Sequence, residues 1–152
     1  MTIAGPWPER LRDLKVLLVE DEAILSMVFE EVLGDAGARV LGPAATVEEA
    51  LDLIEAAMAD GGLDVAVLDV NLGGETAAPV ANRLARLAVP FLVATGYDGN
   101  GGLGHHQVPT LRKPFSLEDL LAAVAGVAGV RPGRTAALPL EPGSDRRRGA
   151  LP

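Results

Sequence analysis

Residues 65–75 read VAVLDVNLGGE. Four apolar residues, Val65 to Leu68, run without interruption into Asp69, and a Gly-Gly pair follows. A short unbroken apolar run is the pattern of a strand covered on both faces, and so of a parallel sheet between two helical layers. Alone, Asp69 reads as a strand-ending residue that caps a turn. A larger role depends on what the rest of the chain brings to the same end of the sheet.

Working outward, the same alternation repeats. KVLLV (15–19) is an apolar run, and residues 23–36 follow with helical spacing at Ile24, Val28, Val32 and Leu33, stopped by Gly37. RVLGPAA (39–45) reads as a second strand, and Thr46-Val47-Glu48-Glu49 as a capping box opening a helix to about Met58. A helix is predicted from about Ala77 to Leu87, with Pro79 tolerated in its first turn. FLVAT (91–95) is the fourth strand and Thr110-Leu111-Arg112 a short fifth. Ser116 caps a last helix with Glu118 and Asp119 in its first turn; its stripe Leu117, Leu120, Leu121, Val124 is expected in the core, any exposed part serving a partner. Strands alternating with helices predict an α/β fold, a doubly wound five-stranded parallel sheet.

Composition limits what such a domain can do. The chain has 152 residues and no cysteine, so disulfide frameworks, thiolate metal sites and cysteine nucleophiles are excluded. Net charge is −8, unevenly spread: residues 131–152 hold five arginines against Glu141 and Asp145, a net of +3, which leaves −11 for residues 1–130. An acidic body argues against nucleic-acid binding. No apolar run approaches a membrane span, and MTIAGPWPERLRDL lacks the pattern of a secretory signal, so a cytoplasmic protein is expected. The predicted organisation is an extension over 1–13, one domain over 14–130, and a Pro/Gly/Arg segment over 131–152 that reads as disordered and is too short for an output domain.

Parallel sheets of this kind bind ligands beyond the carboxyl ends of their strands. Glu20, Asp21 and Glu22 follow the first strand, Asp69 ends the third, Thr95 ends the fourth, and Lys113-Pro114 follows the fifth. Carboxylates brought together repel and call for a cation, and oxygen ligands without His or Cys favour Mg2+ over zinc. A metal on two carboxylates with a hydroxyl and an ammonium opposite suits a phosphoryl group, with Asp69 the natural nucleophile.

These positions resemble the receiver domain of bacterial response regulators over about residues 14–128, and PFLVATGYD (90–98) with DVNLGGE (69–75) looks like the single-domain "FAT GUY" type of alphaproteobacteria. The resemblance implies a flavodoxin-like fold with strand order 2-1-3-4-5 and phosphorylation of Asp69 by a histidine kinase or phosphotransfer protein. It also implies Mg2+ on Asp21, Asp69 and the backbone carbonyl of Asn71, with Glu20 acting through water. Lys113 would grip the phosphoryl group, Thr95 would close on it, and the peptide before Pro114 would be cis. The output would pass to a downstream protein by docking or phosphate relay, with no enzymatic turnover beyond Mg2+-dependent self-phosphorylation and autodephosphorylation.

The sequence also departs from the pattern. Thr110 stands where receivers usually carry an aromatic switch residue, so Tyr97 is the candidate to share that role. Five glycines from Gly96 to Gly104 weaken the fourth helix. The G-x-G-x-x-G at Gly99, Gly101 and Gly104 follows the fourth strand rather than the first and is not read as a dinucleotide site. Adjacent His105 and His106 would diverge on a helix and are not read as metal ligands. Two other functions fit the same residues: a phosphorylation-independent adaptor, and a small Mg2+-dependent phosphatase using Asp69. The second would want an acid where Asn71 stands.

Overall fold

The apolar runs form strands because both of their faces are needed for burial. The computed structural model describes residues 11–96 and 108–129. Tyr97, the motif at Gly99, Gly101 and Gly104, His105, His106 and the 131–152 segment lie outside them. In chain order the elements are β1 (Lys15–Val19), α1 (Ala23–Asp35), β2 (Arg39–Ala44), α2 (Val47–Ala59), β3 (Val65–Asp69), β4 (Asn71–Leu72), β5 (Glu75–Thr76), α3 (Ala78–Arg86), β6 (Phe91–Thr95), β7 (Thr110–Arg112) and α4 (Leu117–Ala128).

β2-β1-β3-β6-β7 form one sheet, every neighbouring pair parallel, while β4 and β5 form a separate antiparallel hairpin. With the hairpin set aside, the strand order is the expected 2-1-3-4-5, and the fold is flavodoxin-like. Side chains alternate along a strand, so each strand feeds two cores. Leu17, Val19, Ala66 and Leu68 pack under α2 and α3 against Ile54, Val80 and Leu84. Val16, Leu18, Val65 and Val67 pack on the other face against Phe29, Leu33, Leu120 and Val124 of α1 and α4. Central β3 and β6 are buried at every residue, which explains their unbroken apolar sequences.

Local chemistry sets the helix starts. The Thr46 side chain accepts a hydrogen bond from the Glu49 N–H at 3.1 Å, and Glu49 Oε1 accepts from the Ala45 N–H at 2.8 Å. This is the reciprocal exchange of a capping box, reaching one residue further back than usual. Ser116 likewise accepts from the Asp119 N–H at 3.0 Å.

Several features differ from the sequence reading or add to it. α1 turns Phe29, Val32 and Leu33 inward, leaving Ile24 and Met27 77% and 66% exposed and Val28 at the surface. The stripe of α4 buries Leu120, Leu121 and Val124 but leaves Leu117 partly exposed. The β4–β5 hairpin was not anticipated: its strands have two residues each, too short to show a period, although Gly73-Gly74 is a hairpin turn signal. Its Leu72 is buried in the core under α2 and α3. Edge strand β2 contains a cis Gly42–Pro43 peptide and a register shift opposite Leu17–Val19. At Gly42 (φ +100°) a Cβ would lie 2.8 Å from both Ala44 N and Leu18 O, so only glycine fits.

Leu11, assigned by sequence to an extension, is fully buried with the α1/α4 core, and its N–H donates to Ala36 O at 2.9 Å. Leu11→Ala is therefore expected to destabilise the domain by about 2–5 kcal/mol. Urea unfolding followed by circular dichroism measures this; an unchanged midpoint would place Leu11 outside the cooperative core.

Candidate functional site

All five parallel strands end on one edge, and the polar residues that the apolar runs cannot absorb gather there. Glu20, Asp69 and Thr95 are buried polar residues at the ends of β1, β3 and β6. Asp21 and Glu22 are exposed in the turn into α1. The register pairs Asp69 with Ala94 and Thr95 with Arg112, which puts Thr95 one step beyond Asp69 on the neighbouring strand. Asp21, Glu22, Asp69, Asn71, Gly96 and Lys113 line an open cleft of about 410 Å³.

Lys113 is aimed into this cleft by its backbone and its neighbours. Its N–H donates to Thr95 O at 2.8 Å, the Lys113–Pro114 peptide is cis, and Phe115 stacks on Phe29 of α1 with centroids 5.6 Å apart. The ammonium then reaches Glu20 Oε1 at 3.2 Å, Asp69 Oδ2 at 3.3 Å and Glu22 Oε1 at 3.7 Å. Glu20, Asp21 and Asp69 each offer a carboxylate oxygen, and these all lie within 4.8 Å of one another. The Asn71 N–H donates to Asp69 Oδ1 at 3.2 Å, and the Gly73 N–H to Asp21 Oδ2 at 2.8 Å.

The electrostatics follow from crowding. Burial first, then the Asp69 charge, pushes the Glu20 carboxyl up to about 7. For Lys113, burial works against the charged form, but Asp69 and Glu20 outweigh it and the pKa rises. The ammonium is thus retained while one acid is poised to hold a proton, the state of a site short of positive charge. An all-oxygen cluster with one exposed member matches the donor set of a hard divalent cation.

Asp69, Glu20, Asp21, Asn71, Thr95 and Lys113, singled out in the sequence, thus share one strand-end region. Thr110 does not join them: it is exposed at the start of β7, and its hydroxyl donates to Val108 O at 3.3 Å. Gly73 was missed as a site contributor. The signal available was the Gly-Gly turn two residues beyond Asn71.

No protein-family model matches the chain. Among curated proteins it is similar to the transcriptional regulatory protein PdtaR of Mycobacterium tuberculosis, 28% identical over 115 residues, or 72% of this chain and 54% of that protein. The chain thus spans about half the length of the curated relatives it matches. Among solved structures, SdrG from Sphingomonas melonis Fr1 is 38% identical with a TM-score of 0.61, covering 76% of this chain and 96% of that one. A response regulator receiver protein from Sinorhizobium medicae WSM419 is 29% identical with a TM-score of 0.64, covering 78% and 97%.

The raised Glu20 pKa sets a pH dependence. In the unfolded chain Glu20 loses its proton near the ordinary 4.5, whereas in the fold it keeps it to about 7. Between those values the folded state binds the extra proton, so stability falls as pH rises and levels off above the folded pKa. In EDTA, wild type should lose stability relative to Glu20→Gln between about pH 5 and pH 8. Parallel denaturation curves across that range would contradict the assignment.

Proposed function

Because the chain belongs to the receiver domains of response regulators, we propose that it accepts a phosphoryl group on Asp69 from a histidine kinase or phosphotransfer protein. It then signals by docking to another protein or by relaying the group. The observation that carries this reading is the single ammonium of Lys113 within 3.3 Å of both Asp69 and Glu20, in an open cleft.

In the transfer, an Asp69 carboxylate oxygen forms a new O–P bond as the donor's P–N or P–O bond breaks, and the electron pair leaves with the donor. Lys113 supplies positive charge to the oxygens of the arriving group, and the Thr95 hydroxyl donates to one of them once it closes on the site. Asp21, Asp69 and the Asn71 carbonyl would hold Mg2+, with Glu20 acting through water, and the ion would supply the positive charge that this acid-rich cleft lacks. Because Thr110 is exposed and not aromatic, the response to phosphorylation runs through Thr95 and the segment after it, where Tyr97 lies.

The cleft favours this function over its two competitors. A phosphorylation-independent adaptor has no use for a half-buried lysine gripping two buried acids. A phosphatase of this topology needs a proton shuttle two residues after its nucleophile, and Asn71 cannot serve. With Mg2+ and acetyl phosphate, wild type is expected to accumulate one labile phosphoryl group, Asp69→Asn none, and Asp21→Ala far less. Continuous turnover would indicate a phosphatase, and no adduct on wild type would indicate an adaptor.

Docking is supported by the apolar rim. Val28 and Leu117 line, with Leu25, Phe29, Pro114 and Phe115, a groove of about 470 Å³ that shares Lys113 with the acidic cleft, and Ile24 and Met27 are exposed on the same helix α1. Among the described residues no helix is long and apolar enough to cross a membrane. Replacing Ile24 and Met27 with Asp should cut phosphotransfer from a protein donor at least tenfold, about 1.4 kcal/mol, with acetyl phosphate labelling unchanged. Equal loss with both donors would sink the docking role.

A further inference from the structure

Asp21 presents a problem that the fold solves in an unexpected way. It is exposed, in a turn whose helix N-cap, Glu22, makes no side-chain capping bond. Such a carboxylate, set among other acids, would ordinarily swing into water. Instead its Oδ2 accepts the Gly73 N–H at 2.8 Å, from a residue 52 positions away at the tip of the β4–β5 hairpin.

That tip is itself anchored. Asn71 Oδ1 accepts the Gly74 N–H at 3.0 Å and closes the turn from inside. Leu72 is sunk in the core, and the Ala77 N–H donates to Val70 O at 2.9 Å behind the hairpin. The same hairpin sends the Asn71 N–H to Asp69 Oδ1. One rigid turn therefore donates a main-chain N–H to each of two carboxylates that repel one another.

We propose that the β4–β5 hairpin is the positioning element of the cation site, with Gly73 holding Asp21 and the Asn71 side chain, through the Gly74 N–H, holding the turn that carries Gly73. Neither group is itself a metal ligand: the Gly73 N–H is a donor, and the Asn71 side chain faces the turn. With Oδ2 held, Asp21 would offer its carboxylate to the cation without first losing the freedom of an exposed side chain. The inference rests on the Mg2+ reading above but assigns part of the affinity to groups outside the ligand set, the Gly73 N–H and the Asn71 side chain.

Gly73 allows a clean test. Its φ is +60°, and a Cβ there would meet only Asp21 Oδ2, at 3.9 Å. Substitution therefore acts through backbone conformation and not through a clash. Asn tolerates this left-handed region and Val does not. Mg2+ titration by calorimetry and amide NMR of the full chain should show Gly73→Asn close to wild type. Gly73→Val and Asn71→Ala should bind about tenfold more weakly. Without Mg2+, the Gly73 amide proton should be shifted downfield and protected from exchange in wild type, and lose both properties in Asp21→Ala. If wild type binds no Mg2+, the metal reading fails. If wild type binds it and Gly73→Val and Asn71→Ala match wild type, the positioning role alone is overturned. Equal weakening in Gly73→Asn and Gly73→Val, with a fallen melting temperature in both, would also overturn it in favour of simple loss of fold.

Discussion

Two carboxylates, Glu20 and Asp69, are buried side by side at the end of an apolar sheet, and one ammonium touches both. This arrangement is costly on its own, because each charge has given up water and the acids outnumber the cation. It exists because β1 and β3 are adjacent, parallel and level, so that consecutive apolar runs end at the same height. The Glu20 proton, the attachment of Asp21 to a distant loop and the closeness of Lys113 are all responses to this shortage of positive charge.

The scaffold separates two tasks. The faces of the sheet are satisfied by helices and carry no chemistry, and its carboxyl edge carries the chemistry and little packing. Lys113 bridges these regions: its backbone bonds to β6, its neighbour Phe115 stacks on α1, and its ammonium enters the cleft. A displacement of Thr95 would pass directly to the main chain at Lys113, because the two share a hydrogen bond.

Most of the sheet could be read from the sequence because strands buried on both faces must be apolar throughout, as in VAVLD and FLVAT. The site could be read because charged residues directly after such runs have nowhere to go but the strand ends. The contributions of Leu11 and Leu72 could not, since each is one leucine in a segment without a period, held by contacts made only after the sheet forms. The direction of α1 was hidden for a different reason. The helix is apolar on several sides, so spacing alone did not say that Phe29 faces inward and Ile24 outward. The link between Gly73 and Asp21 spans 52 residues, beyond any local rule.

The interrupted edge at β2 bears on what the molecule avoids. A parallel sheet has two open margins, and a margin with regularly spaced donors and acceptors is a template on which another chain can polymerise. At β2 the spacing is broken: Pro43 has no N–H to offer, Gly42 sits where a side chain cannot, and the pairing with β1 slips by a residue. An incoming strand could not maintain its hydrogen-bond ladder across this gap. Backbone irregularity thereby works against cross-β growth along this margin, together with the exposed charge of Arg39 at its start.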